Sequence, residues 1–256
     1  MRVQLYRAYK KLARCYHNGI ANKYKQNEGY CPICESNSFF IEKHSWLRDN
    51  YICNNCKSIP RNRALVNALN IFCPDWKKLF VHESSPYGPL SEYLKQNCKY
   101  YSSSHYYENV PRGDYKDGIR SEDLTRLTFE NDSFDVFITS DVFEHVMERE
   151  LAFKEIARIL KPGGMHIFTM PWYPLIKLSV QRAKFENNEI IFLEKPVYHG
   201  DPINDKGSLV TYDWGRDFPF LVCQFSSLLT TIFTVKDRQL GLDGKFLEVF
   251  ISRKNI

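Results

Sequence analysis

Residues 134–170 read FDVFITSDVFEHVMERELAFKEIARILKPGGMHIFTM. Phe134 to Thr139 is an apolar run broken only by Asp135, the mark of a buried strand. Glu148 to Leu160 puts Leu151, Ala152, Ile156, Ile159 and Leu160 on one side of a predicted helix. Lys161-Pro162-Gly163-Gly164 stops that helix, and Met165 to Met170 reads as the next strand. Parallel strands need a crossover connection, usually a helix, so this succession predicts a parallel pair.

The same rhythm extends to both sides. Upstream, Leu79 to His82 reads as a strand, Leu90 to Asn97 as a helix, Tyr100 to Ser103 as a second strand and Gly118 to Ser121 as a short third. Downstream, residues 172–215 show no periodicity and are rich in Tyr, Trp, His and Asp. Loops of that length in a compact domain are commonly functional. A helix near Asp217 to Leu229 follows, and Thr231–Lys236 with Phe246–Ser252 reads as a closing hairpin around Gly241 and Gly244. The predicted class is α/β, a mostly parallel sheet with helices on both faces and a C-terminal antiparallel hairpin.

Cys31-Pro32-Ile33-Cys34 and Cys53-Asn54-Asn55-Cys56 are separated by eighteen residues. Paired C-x-x-C turns at this spacing predict a structural Zn2+ site, because each turn aims two thiolates at one point and two turns close a tetrahedron. The remaining cysteines, Cys15, Cys73, Cys98 and Cys223, read as semi-buried thiols. The basic run Lys57-Ser58-Ile59-Pro60-Arg61-Asn62-Arg63 either contacts phosphates or caps the zinc module against the main domain. The predicted organisation is a basic amphipathic helix over 1–27, a zinc ribbon over 28–60, a connecting helix over 61–76 and a main domain over 77–256. The segment of about 172–215 is an insertion covering the substrate.

The chain has 256 residues, 43% of them hydrophobic and 25% charged, which suits a soluble globular protein and argues against disorder. Net charge is a mild +5, concentrated in Arg2, Arg7, Lys10, Lys11, Arg14, Lys23 and Lys25. That basic stretch is either a solvated helix face or a contact for nucleic acid or membrane. No segment reaches the roughly 18 apolar residues of a membrane span, and a cytoplasmic location is expected.

In open parallel sheets, ligands sit beyond the carboxyl ends of the strands. The informative residues are therefore Glu83-Ser84-Ser85-Pro86-Tyr87-Gly88, Ser103-Ser104-His105, Glu122-Asp123-Leu124 and Ser140-Asp141, followed by Glu144-His145. Phe134–Thr139, then Glu144-His145-Val146, then Ile159-Leu160-Lys161-Pro162-Gly163-Gly164 resemble the second half of a class I methyltransferase domain and are similar to methyltransferase type 11. The resemblance covers about residues 77–256 and implies a Rossmann-like sheet and S-adenosylmethionine as cofactor. The zinc ribbon, the Glu83–Pro86 loop and Tyr198-His199-Gly200-Asp201-Pro202 also resemble a bacterial subgroup found beside sugar-polymer biosynthesis proteins.

The resemblance implies that the loop with Glu83 and Gly88 holds the methionine part of the cofactor, and that Asp123 reaches the adenine amino group. Ser84 and Ser85 stand where the family has glycines. Ser103-Ser104-His105 stands where it has a ribose-binding acid, which leaves that role to His105, Ser104 or Glu108. Leu124 and Ser140 complete the cofactor-binding candidates. His145, Asp141 and His199 are the candidate bases, and Tyr198, His199, Asp201 and Trp214 the candidate substrate contacts, polar and aromatic groups that suit a polar small molecule. The expected function is methyl transfer to oxygen or nitrogen of a polar small molecule or glycan precursor. The alternatives are an RNA methyltransferase and a non-catalytic binding module on a degenerate methyltransferase fold.

Overall fold

The computed structural model describes residues 24–187, 189–200 and 206–256. Most of the helix predicted over 1–27, and Asp201, lie outside the described residues. Lys25 to Asn27 are not helical. They open strand β1 (Lys25–Cys31), because they pair with Phe40, Ile41 and Glu42 of β2 (Ser36–Glu42). A single helical turn, α1 (Leu47–Asn50), and the short strand β3 (Tyr51–Cys53) complete a three-stranded antiparallel ribbon.

Helix α2 (Pro60–Phe72) follows, with proline at its start, where a missing N–H costs nothing. The Asn62 side chain accepts the free N–H of Ile59. Its buried face, Ala64, Leu65, Ala68 and Leu69, lies against the main sheet.

That sheet has eight strands: β4 (Phe80–Ser84), β5 (Tyr100–His105), β6 (Tyr115–Lys116), β7 (Ile119–Ser121), β8 (Phe134–Ser140), β9 (Leu160–Thr169), β16 (Leu229–Phe233) and β17 (Val249–Arg253). Their order is β16-β17-β9-β8-β4-β5-β7-β6. β4, β5, β7, β8 and β9 are parallel to their neighbours in that run. β17 runs antiparallel between β16 and β9.

Alternation along each strand feeds two cores. Val81, Val136, Ile138, Ile167 and Ile251 pack with α2 and with Leu90 and Leu94 of α3 (Gly88–Asn97). Phe137, Phe168 and Phe250 pack with Phe153 and Ile156 of α4 (Arg149–Ile159) and with Phe218 and Val222 of α5 (Phe218–Ser226). The result is a three-layer, Rossmann-like sheet with helices on both faces. Ribbon residues Cys31, Phe40, Tyr51 and Cys53 belong to the first core, so the ribbon is packed onto the sheet.

The structure departs from the sequence reading in the main domain as well. Leu151 faces outward, and Phe153 takes the buried position on α4. Lys161 to Gly164 lies inside β9, where the register against β8 shifts between Phe134 and Val136. Gly164 is required there, since a Cβ would sit 2.8 Å from the Lys161 carbonyl oxygen and 3.1 Å from that of Phe134. The insertion is not irregular. It contains three short antiparallel pairs: β10 (Val180–Gln181) with β15 (Tyr212–Asp213), β11 (Ala183–Glu186) with β12 (Glu189–Phe192), and β13 (Tyr198–His199) with β14 (Ser208–Leu209). Strands of two to four residues leave almost no periodicity to read.

Candidate functional site

The sheet reverses direction beside β4: the chain runs from β4 outward to β5 and β7, then returns to place β8 on the other side. Such a switch point opens a crevice at the carboxyl ends of the strands. A cleft of about 1440 Å3 lies there. Its floor carries Glu83, Ser84, Ser85, Gly88, His105, Asp123, Leu124, Ser140, Asp141 and His145, and the insertion adds Tyr198 and His199.

At the first strand end the chain turns sharply. Ser85 has φ +60° and Gly88 φ +66°. Nothing lies within 4 Å of where a Gly88 Cβ would be, so the backbone there borders open cleft. Glu83 is buried beneath this turn and accepts hydrogen bonds from Tyr101 Oη (2.6 Å) and Ser91 Oγ (2.9 Å). Burial pushes its carboxyl up to about 7, and the two donors offset this only in part.

At the next two strand ends, His105 donates through Nε2 to the Pro86 carbonyl (3.2 Å), tying its loop to the first turn. Ser104 points inward, bonded to His82 Nε2 at 2.9 Å, and does not reach the cleft. Burial pushes His82 down to about 3, so it stays a neutral core histidine between Ser102 and Ser104. The neighbouring acids Glu122 and Asp123 divide their tasks. Glu122 is consumed inside by Arg120 (2.7 Å) and the Thr128 N–H (2.9 Å). Asp123 lines the cleft, with its Oδ1 accepting from Thr125 N and Oγ1, both at 2.8 Å.

Asp141 is not the free base that the sequence suggests. Arg48, from the ribbon, grips it with both terminal nitrogens, at 2.8 Å to Oδ1 and 2.7 Å to Oδ2. Arg61 approaches to 3.3 Å and Thr169 Oγ1 donates at 2.9 Å. Burial alone would raise this carboxyl, but the two guanidinium groups outweigh it and hold Asp141 below the usual carboxylate range. Nothing in the local sequence marked Arg48, because its partner lies 93 residues away. Arg63 is likewise spent internally, on the carbonyls of Ser58, Tyr51 and Gly241. Arg61 and Arg63 of the run at 57–63 therefore fasten the ribbon to the main domain.

Three residues past Asp141, Glu144 is 1% exposed, and neither carboxylate oxygen has a hydrogen-bond partner among the described residues. Its Oε1 lies 3.8 Å from His145 Nε2 and 3.7 Å from His199 Nδ1. The two imidazoles are perpendicular, with centroids 5.3 Å apart. His145 Nδ1 donates to the Leu209 carbonyl at 2.8 Å. Thr211 clamps the Glu144 carbonyl through its N–H (2.7 Å) and Oγ1 (3.0 Å). The Glu144 carboxylate, 3.7 Å from His199 Nδ1, raises the pKa of His199 against desolvation. Trp214 contributes nothing to the cleft: it is fully buried, stacked on Tyr212 and set edge-on to Phe218 in the second core. Aromatic content alone could not separate such a core tryptophan from a pocket one.

The four ribbon cysteines gather with their sulfurs within 4.8 Å of one another. Cys31 and Cys56 are 3.7 Å apart, and Cys34 and Cys53 3.8 Å. Zn–S bonds of about 2.3 Å in a tetrahedron separate the sulfurs by about 3.8 Å, so the donor set fits zinc. Ser36 and Ser58 hydroxyls sit 3.4 Å and 3.1 Å from Cys34 and Cys56, the outer-shell contacts expected around thiolate ligands.

Residues 87–168 match the family described as a methyltransferase domain. No curated protein matches the chain. Among solved structures, an S-adenosylmethionine-dependent methyltransferase from Mesorhizobium loti is 18% identical, with 75% of this chain and 98% of that one covered and a TM-score of 0.48. The YcgJ protein of Bacillus subtilis is 12% identical, with coverages of 75% and 98% and a TM-score of 0.48. A 1,6-didemethyltoxoflavin-N1-methyltransferase from Burkholderia thailandensis, solved with S-adenosylhomocysteine, is 13% identical, with coverages of 75% and 79% and a TM-score of 0.43. Residues 87–168 are thus similar to a methyltransferase domain, and they lie on the Rossmann-like sheet. Among the described residues, no helix is long and apolar enough to cross a membrane.

Proposed function

We propose that the protein transfers a methyl group from S-adenosylmethionine to an oxygen or nitrogen of a polar small molecule or sugar precursor. The observation that carries this reading is the acidic lining of the cleft at the switch point, where Glu83 and Asp123 approach from two strand ends and Glu108 from the loop between them. Open backbone at Gly88 and these carboxylates suit a ligand bearing a sulfonium, an ammonium and an adenosine with hydrogen-bonding edges. When bound, that ligand supplies an electrophilic methyl group.

The chain's own residues then have separable tasks. The turn from Ser84 to Gly88 and buried Glu83 hold the amino-acid end, Asp123 and Leu124 the adenine, and His105 or Glu108 the ribose. Asp141, paired with Arg48, is a poor proton acceptor and serves to lock the ribbon against the site. Activation of the acceptor falls to the Glu144, His145 and His199 cluster. The insertion carrying Tyr198 and His199 lines that end of the cleft. The ribbon holds structural Zn2+.

The test is release of S-adenosylhomocysteine during incubation with S-adenosylmethionine and, in separate reactions, nucleotide sugars, free polyols and RNA. Product with the small polyhydroxylated compounds supports the reading. Product with RNA alone refutes the acceptor class, and tight cofactor binding without product in any reaction points to a non-catalytic binding module.

A further inference from the structure

We infer that Glu144, His145 and His199 form a binding site for a divalent first-row transition metal ion at the acceptor end of the cleft. Two observations point there independently. The first is the donor geometry: one carboxylate oxygen and two imidazole nitrogens converge, with all their candidate ligand atoms within 4.8 Å of one another. A tetrahedral shell with bonds of about 2.0–2.1 Å puts neighbouring donors about 3.3–3.4 Å apart. The observed 3.7 Å and 3.8 Å close to that by small side-chain rotations.

The second observation is the orphaned carboxylate. Glu144 is buried with both oxygens lacking a hydrogen-bond partner among the described residues. A carboxylate so placed is costly to bury unless a cation compensates it, so an unsatisfied one marks a missing partner.

The outer contacts agree. The Leu209 carbonyl can only accept, so His145 must carry its proton on Nδ1. That leaves the Nε2 lone pair facing Glu144, and a metal-ligating histidine ordinarily donates its other ring N–H to a carbonyl or carboxylate in this way. Thr211 fixes the Glu144 backbone, and the pairing of His199 with Ser208 fixes the third ligand's strand. Nitrogen and carboxylate donors together select ions such as Mn2+, Fe2+, Co2+ or Zn2+.

Three protein ligands leave coordination positions open toward the cleft. Resting on the methyltransferase reading, a hydroxyl oxygen of the acceptor takes one of them. The ion lowers that hydroxyl's pKa, its proton leaves to water, and the oxygen is left as the nucleophile. The site therefore favours hydroxyl acceptors over amines.

The test uses the full-length protein with its ribbon zinc counted by elemental analysis. Co2+ is titrated and followed by its optical spectrum. The site predicts one further equivalent bound, with ligand-field bands but no thiolate charge-transfer band, because the ligands are nitrogen and oxygen. Glu144→Gln and His199→Ala should each weaken this binding by about tenfold or more. Glu144→Gln removes a buried charge without changing shape, so its thermal midpoint should hold or rise. No Co2+ bound beyond the ribbon at millimolar concentration, or binding that neither variant weakens, overturns the proposal. A parallel S-adenosylhomocysteine titration separates the two claims. Metal binding without cofactor binding sinks the methyltransferase reading and keeps the site, and the converse does the opposite.

Discussion

Replacing Glu83 by glutamine should make the protein more stable, with the gain developing between about pH 4.5 and pH 7. Glu83 is 2% exposed, and burial lifts its carboxyl from an ordinary value of 4.5 to about 7. An acid with a raised folded-state pKa contributes fully below its unfolded pKa, and that contribution is lost as pH rises through the folded pKa. At about 1.36 kcal/mol per unit, the gap amounts to about 3 kcal/mol, lost between about pH 4.5 and pH 7. Glutamine reproduces the protonated acid: its carbonyl accepts from one of the hydroxyls of Tyr101 and Ser91, and its amide donates to the other. The variant should therefore match wild type near pH 4 and exceed it by about 3 kcal/mol at pH 8. For a chain of this size, that is a rise of about 5–10 °C in thermal midpoint. Differential scanning calorimetry of both proteins at several pH values reads it directly, since all other titrating groups cancel in the difference. A pH-independent difference, or a glutamine variant already less stable at pH 8, would refute the reasoning.

Asp141→Asn removes the main partner of a guanidinium buried at Arg48, where breaking one side of an ion pair costs about 3–5 kcal/mol, readable as a lower urea midpoint. The sign with pH is opposite to Glu83: the stabilisation at Asp141 is present above the ordinary carboxylate pKa and is lost as pH falls through its depressed folded value. Cys34→Ser should lose stoichiometric zinc by elemental analysis and lower the melting temperature of the whole chain, because the ribbon shares the first core with the sheet. Trp214→Ala should cost about 3–5 kcal/mol in urea unfolding as a core truncation, and a stability unchanged within error would contradict its placement.

The run from Phe134 to Met170 made the sheet legible because two apolar strand runs flank one helical period, although the stop at Lys161–Gly164 lies inside β9. The paired C-x-x-C turns announced their cluster for the same local reason: two donors lie on each turn. What stayed hidden depends on long-range pairing. Arg48 meets Asp141 across 93 residues, and the Leu209 carbonyl meets His145 across 64. Ser104 and His105 are adjacent on one strand, so alternation sends one to His82 in the core and the other toward the cleft. Sequence spacing cannot say which face is which without the register. Trp214 and Tyr198 share a composition-rich segment, yet one fills the core and the other lines the cleft. Glu144 was visible as part of a Glu-His pair, but its lack of partners exists only in three dimensions.

The most direct test of the account is calorimetric titration of S-adenosylhomocysteine into wild type and Asp123→Ala. Among the described residues, the Asp123 side chain bonds its local turn through Oδ1 while lining the cleft, so its loss should spare the fold. The account predicts one site in the wild type and an affinity about tenfold or more weaker in the variant, in line with about 1.5–3 kcal/mol for a hydrogen bond to a charged group. No heat in the wild type at millimolar ligand, or equal affinity in both proteins, would contradict it.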